Sequence, residues 1–111
     1  MPMNRIFSEE EPGRAEVDSY AGATMLEFGA PWCPHCQAVQ PALEKVFAHH
    51  PQVRHVKVED GKGKPLGRSY RVKLWPTLIF LKDGVEVERL VRCNDEAEIL
   101  RAMAKIDIAA A

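Results

Sequence analysis

Apolar and polar positions follow two different periods along the chain, and the switches between them mark its elements. Thr24 to Gly29 is an apolar run interrupted only by Glu27, which predicts a strand buried on both faces. From Pro34 to His49 the residues Val39, Ala42, Leu43, Val46 and Phe47 recur at helical spacing. Pro41 lies inside that stretch, removes a backbone donor and predicts a bend. Val53, Val56 and Val58, with polar residues between them, predict a second strand. The turn-rich loop from Gly61 to Pro65 leads into a short helix reaching Tyr70. Thr77 to Leu81 predicts a third strand, Lys82-Asp-Gly84 a hairpin turn, and Val85 to Val91 a fourth strand in which Val85, Val87 and Val91 alternate with polar residues. Asn94 or Asp95 suits the cap of a last helix carrying Ile99, Leu100, Met103 and Ile106. Weaker signals are a short strand at 5–7, a break at Glu11-Pro-Gly13, a short helix at 14–21 and a frayed end at Ala109-Ala-Ala111. The order is βαβ followed by a hairpin and a helix, with no internal repeat.

Size and composition narrow the picture. The chain's 111 residues suit one domain, 1–111, with a core of its own. A balance of 46% apolar and 28% charged residues is ordinary for a globular chain. A formal net charge of −1 points to neither nucleic acid nor an anionic membrane as partner. Three cysteines do not make a disulfide-stapled secreted scaffold. The start, Met1 to Glu11, turns acidic after two apolar residues, so neither a signal peptide nor a membrane-spanning helix is expected, and the chain reads as cytoplasmic.

The chemistry concentrates at Cys33 and Cys36, two residues apart, where the apolar strand runs through Trp32 into a helical pattern. That spacing lets both sulfurs meet at the first turn of a helix. Helix-end amides then favour a thiolate at the first sulfur, and the thiolate is the nucleophile of disulfide exchange. Protonated His35, between the two, adds a positive charge with the same effect. The competing readings are an inert buried pair, or half a zinc site completed by Cys93 and a histidine, although no second Cys-x-x-Cys exists. Glu27 is an acid within the apolar strand. Buried, it would suit a proton acceptor for Cys36; at a solvent face, it would do nothing. Cys93 reads as a small residue at a strand end, His49, His50 and His55 as surface residues, and the acidic run Glu9 to Glu11 as solvated.

With Trp32-Cys-Pro-His-Cys36 and the later Trp75-Pro76-Thr77 in place, the chain resembles a thioredoxin from about Thr24 to Ile106. Glu27 stands where the family places a buried acid, Lys57 where it places a lysine beside that acid, and Pro41 at its helix-bending proline. Pro76 stands at its cis-proline, and Lys82-Asp-Gly84 at the turn between the last two strands. The resemblance implies an α/β thioredoxin fold, a central mixed β-sheet flanked by α-helices. Four positions depart from the usual pattern: Pro34-His35 replaces Gly-Pro, Glu27 replaces Asp, Trp75 replaces Ile, and Arg92 falls where Gly is frequent. Pro-His resembles the strongly oxidising periplasmic disulfide donors, whose inserted helical domain this chain has no room for. The His35 charge stabilises the reduced form, so a potential is expected between roughly −270 mV, a thioredoxin's, and roughly −120 mV, a strong oxidant's.

What the resemblance implies for function is a thiol–disulfide oxidoreductase working on protein disulfide or dithiol substrates. Cys33 is the exposed nucleophile, Cys36 the resolving thiol, and Glu27 with Lys57 the proton-handling pair. Trp32 and Trp75 form an apolar rim, and Pro34, His35, cis-Pro76 and Arg92 complete the substrate-facing surface. A cis Trp75–Pro76 bond would present the backbone of Trp75 to an extended client. No metal or organic cofactor is called for. Electrons come from a reductase or a small thiol, the roles are electron transport and redox homeostasis, and the protein acts as a monomer. The alternative is a thioredoxin-like binding or assembly module that holds a client with little turnover.

Overall fold

The computed structural model describes residues 3–107, so the fraying expected at Ala109 to Ala111 lies outside the described residues. A four-stranded sheet in the order β2-β1-β3-β4 forms the centre. The apolar run becomes β1, Ala23–Gly29, and from Thr24 onward every residue of it is buried. It can be buried throughout because it lies inside the sheet. It pairs in parallel with β2, Arg54–Glu59, and antiparallel with β3, Thr77–Lys82. The parallel register sets Glu27 opposite Lys57, and the antiparallel one sets it opposite Leu78. β4, Val85–Val91, closes the far edge through a hairpin. Asp83 and Gly84 turn that hairpin with φ of 50° and 80°. Gly84 is required for a second reason, because a Cβ there would run into the Asp18 carbonyl.

Helices cover both faces. α3, Gln40–His49, and α5, Glu96–Ile106, bury Leu43, Val46, Phe47, Ile99 and Met103 against Met25, Leu78 and Phe80. On the opposite face Leu26, Phe28, Ile79 and Leu81 meet Val17 of α1, Arg14–Asp18, and Leu66 of α4, Pro65–Ser69. Each such side chain contributes roughly 1.5–3 kcal/mol on burial. Asp95 caps α5, its carboxylate accepting from the amides of Ala97 and Glu98. Among the described residues no helix is long and apolar enough to cross a membrane.

Several local expectations change. The stretch Pro34 to His49 is two helices rather than one bent helix. α2, Pro34–Ala38, ends at Val39, and α3 begins at Gln40. Pro41 has no amide to bond backward, so α2 stops there and Pro41 occupies the first turn of α3. Residues 5–7 form no strand. A single parallel bridge joins Ser8 to Val58 instead, through Ser8 N–H to the Lys57 carbonyl and Glu59 N–H to the Ser8 carbonyl, each 2.9 Å. The helix expected over 14–21 is confined to α1. Glu11 does not follow Glu9 and Glu10 into solvent: its Oε1 accepts from the Leu66 amide at the start of α4. The valines of β4 face outward, Val85 at 66%, Val87 at 45% and Val91 at 46% exposure. β4 is an edge strand, and its covered face is the one carrying Leu90 toward the α3–α5 core.

Candidate active site

β1 ends at Gly29, and the chain turns through Ala30 and Pro31 into α2, with Cys33 as its N-cap. Pro34 opens the helix where no donor is needed. The Cys33 sulfur accepts the Cys36 amide at 3.3 Å, the position where helix-end amides stabilise a thiolate. Both cysteines are free thiols. Cys33 is only 5% exposed, so the expected exposed nucleophile is a nearly covered sulfur, packed in a small cluster with Ala30, Cys36, Phe7 and Trp75. Cys36 is fully buried, and its thiol is pushed up to about 12. Burial is the main cause, followed by the bond shared with Cys33. A hydrogen bond with the Ala30 backbone opposes it, and the Cys33 and Glu27 charges add to it more weakly. The sulfur leaves no space beside β1: a Cβ on Gly29 would stand 2.5 Å from it.

The outer side of the turn is an aromatic rim. Trp32 is 67% exposed, and its ring meets Trp75 edge-on, centroids 5.5 Å apart. Trp75 Nε1 donates to Asp60 Oδ2 at 2.9 Å, which fixes the inner ring. The Trp75–Pro76 bond is cis. Pro34 and His35 are exposed on α2. Arg92 has a φ of 54°, in the region glycine favours, and its Nε donates to the Trp75 carbonyl at 3.0 Å. The carbonyl expected to face a client therefore already has a partner.

The inner side is polar and largely buried. Glu27 is fully buried in the middle of β1. Its Oε2 accepts from Gln40 Nε2 at 2.9 Å and lies 3.5 Å from Lys57 Nζ. Gln40 also donates to the Cys36 carbonyl at 2.7 Å and accepts from Lys57 at 2.8 Å, so one amide ties acid, lysine and cysteine turn together. Sequence reasoning missed Gln40; its place four residues after Cys36, on the same helical face, was the available signal. His55 corrects an expectation. It is buried, not on the surface, and its Nε2 sits 2.8 Å from Glu27 Oε1. His55 and Lys57 share one side of β2 with Val53, beneath α3, so here the polar alternates point inward. Phe7 covers Lys57, with its ring centroid 4.4 Å from Nζ. An open cavity of about 340 Å³ is lined by Arg5, Ile6 and Phe7 and by Cys36, Gln40 and Lys57.

The remaining candidates lie elsewhere. His49 is exposed, and His50 pairs with Asp107 at 2.7 Å. Cys93 donates to Glu98 at 3.2 Å, and burial pushes its thiol up. Among the described residues no three His, Cys, Asp or Glu side chains converge on a metal-sized site.

Comparison with known proteins agrees with this geometry. The family model described as Thioredoxin matches residues 7–105. The thioredoxin of Chlamydia trachomatis is 37% identical over 90 residues, which is 80% of this chain and 88% of that protein. The thioredoxin of Chlamydia pneumoniae is 36% identical over 96 residues, 85% and 89% of the two chains. The structure of thioredoxin 2 from Pseudomonas aeruginosa PAO1 in its reduced form superposes with a TM-score of 0.82 at 51% identity, covering 93% of this chain and 95% of that one. A mixed four-stranded sheet between helices, a Cys-x-x-Cys helix cap and these matches together show that the chain belongs to the thioredoxin family.

Proposed function

We propose that this protein exchanges disulfides with protein clients through Cys33 and Cys36, with Glu27 and Lys57 handling the proton. Trp32, Pro34, His35, Trp75, Pro76 and Arg92 are the client-facing surface. The observation that carries the reading is the asymmetry of the pair: one sulfur at a helix cap receiving an amide at 3.3 Å, the other fully buried, with Glu27 linked to its carbonyl through Gln40. The Cys33 thiolate attacks a client disulfide, forming the Cys33–client bond as one client sulfur leaves with its electron pair. Glu27 takes the Cys36 proton. The Cys36 thiolate attacks Cys33 Sγ, the intramolecular disulfide forms, and the second client sulfur leaves as a thiolate. Two electrons have passed to the client, and a reductase or small thiol returns them.

The chain acts as one domain, 1–111, a cytoplasmic monomer needing no metal, organic cofactor, nucleic acid or membrane. Insulin reduction with dithiothreitol as donor tests the activity. The expected outcome is catalysed precipitation of the insulin B chain that disappears in Cys33→Ser. The runner-up, a client-holding module, draws support from Arg92 on the Trp75 carbonyl, where a client strand would pair. Stoichiometric client binding without insulin turnover would decide for it.

A further inference from the structure

His55 has no part in the mechanism as described, yet its side chain is as enclosed as that of Glu27. Its side chain and that of Glu27 are both 0% exposed, and Nε2 lies 2.8 Å from Glu27 Oε1. The ring stacks on Phe47, centroids 4.5 Å apart and planes 18° from parallel, so its orientation is set by packing. The other nitrogen is also committed: Nδ1 receives the backbone amide of Asn4 at 2.9 Å. An amide can only donate, so Nδ1 must be the acceptor. The neutral ring therefore carries its hydrogen on Nε2, and Nε2–H donates to Glu27. The N-terminal segment, bridged to β2 at Ser8, holds that amide in place.

We propose that His55 is a positioning residue for the Cys36 proton transfer: its Nε2–H, with the tautomer selected by the Asn4 amide, holds Oε1 of Glu27 and orients the carboxylate. The inference rests on the reading of Glu27 as proton acceptor. Glu27 has two oxygens and a different set of partners for each. Oε1 belongs to His55, while Oε2 faces Gln40 and Lys57. Burial without donors makes a carboxylate hold its proton, and a hydrogen bond to the charged form opposes that. Gln40 and Lys57 both serve Oε2 and leave Oε1 bare in a side chain that is 0% exposed, and His55 supplies the missing donor. The charged and titratable groups facing this pair are Lys57 on β2 and Cys36 on α2, with Cys33 beyond it. Arg5, paired with Glu44, lies at the mouth of the adjoining cavity. A second proton on His55 would fall on Nδ1, against the Asn4 amide, so the ring serves as a donor and not as a proton store.

The test is the pH dependence of mixed-disulfide resolution, measured by rapid mixing on the full chain. In His55→Val the acid limb should move up by about one pH unit, leaving the alkaline plateau unchanged, since one hydrogen bond to a charged group is lost. His55→Gln, whose amide reaches the same oxygen, should restore the limb to within a few tenths of a unit. Glu27→Gln should abolish the limb. If Glu27→Gln keeps the limb, the proton-acceptor reading fails, and this inference with it. If Glu27→Gln abolishes it and His55→Val leaves it unmoved, the inference fails alone. The ring itself gives a check that does not depend on any variant folding. Nitrogen-15 correlation spectra of wild-type protein should show hydrogen on Nε2 and a bare Nδ1. The opposite tautomer would overturn the proposal.

Discussion

Cys33 and Cys36 are three positions apart in sequence, yet their surroundings differ in kind. The Cys33 side carries exposed Trp32, Pro34 and His35 and the arginine-capped carbonyl of Trp75. The Cys36 side is a largely buried polar cluster in which Glu27, Lys57, Gln40 and His55 satisfy one another. The outer groups are exposed, whereas the inner ones are buried and border a cavity of about 340 Å³ beside Phe7. The contrast teaches that two thiols one helical turn apart can differ in kind: amides at a helix cap favour a thiolate at one sulfur, while burial holds the proton on the other.

The largest break in that comparison comes from exchanging the sulfurs one at a time. Cys36→Ser should accumulate client mixed disulfides through Cys33, visible on non-reducing gels, because the resolving thiol is gone. Cys33→Ser should lose both trapping and turnover. Adducts carried by Cys93 instead would mean that the outer and inner roles are assigned to the wrong residues.

A smaller effect is expected from the outer charge. His35→Pro should lower the Cys33–Cys36 potential by about 30 mV, because an imidazole that in its protonated form favours the reduced thiolate is removed. Equilibration with glutathione measures it, and an unchanged potential would show that the exposed imidazole has no electrostatic reach to the sulfur.

The smallest effect belongs to the inner thiol and to alkaline solution. The ordinary thiol value of 9.0 rises to about 12 at Cys36 in the folded protein. The folded state therefore binds that proton more tightly than the unfolded chain. The resulting stability is fully present below about pH 9 and is lost as pH climbs toward 12. Urea midpoints of the reduced wild type should fall more steeply above pH 9 than those of Cys36→Ala. Parallel curves for the two proteins would mean that the inner sulfur is not held protonated by its surroundings.

The sequence by itself determined the strand-turn-helix around the cysteines, the hairpin at Lys82-Asp-Gly84, the cap at Asp95 and the central strand, because each depends on local spacing or turn chemistry. It also singled out Glu27, Lys57 and Pro76 through their place in a family pattern. Only the tertiary structure decided which way the two flanking strands face. β2 and β4 both read as valines alternating with polar residues, and period 2 says that two faces differ without saying which one is covered. In β4 the valines are left in solvent, because no helix lies over their face. In β2 Phe47 of α3 stacks on His55 while Val58 packs in the cluster with Leu66 of α4, so His55 and Lys57 are buried and must find partners there. Glu27 supplies the charge for both, Gln40 joins them from α3, and the Asn4 amide arrives from 51 residues away in sequence. A contact of that separation depends on chain closure over the whole fold, which no local pattern encodes.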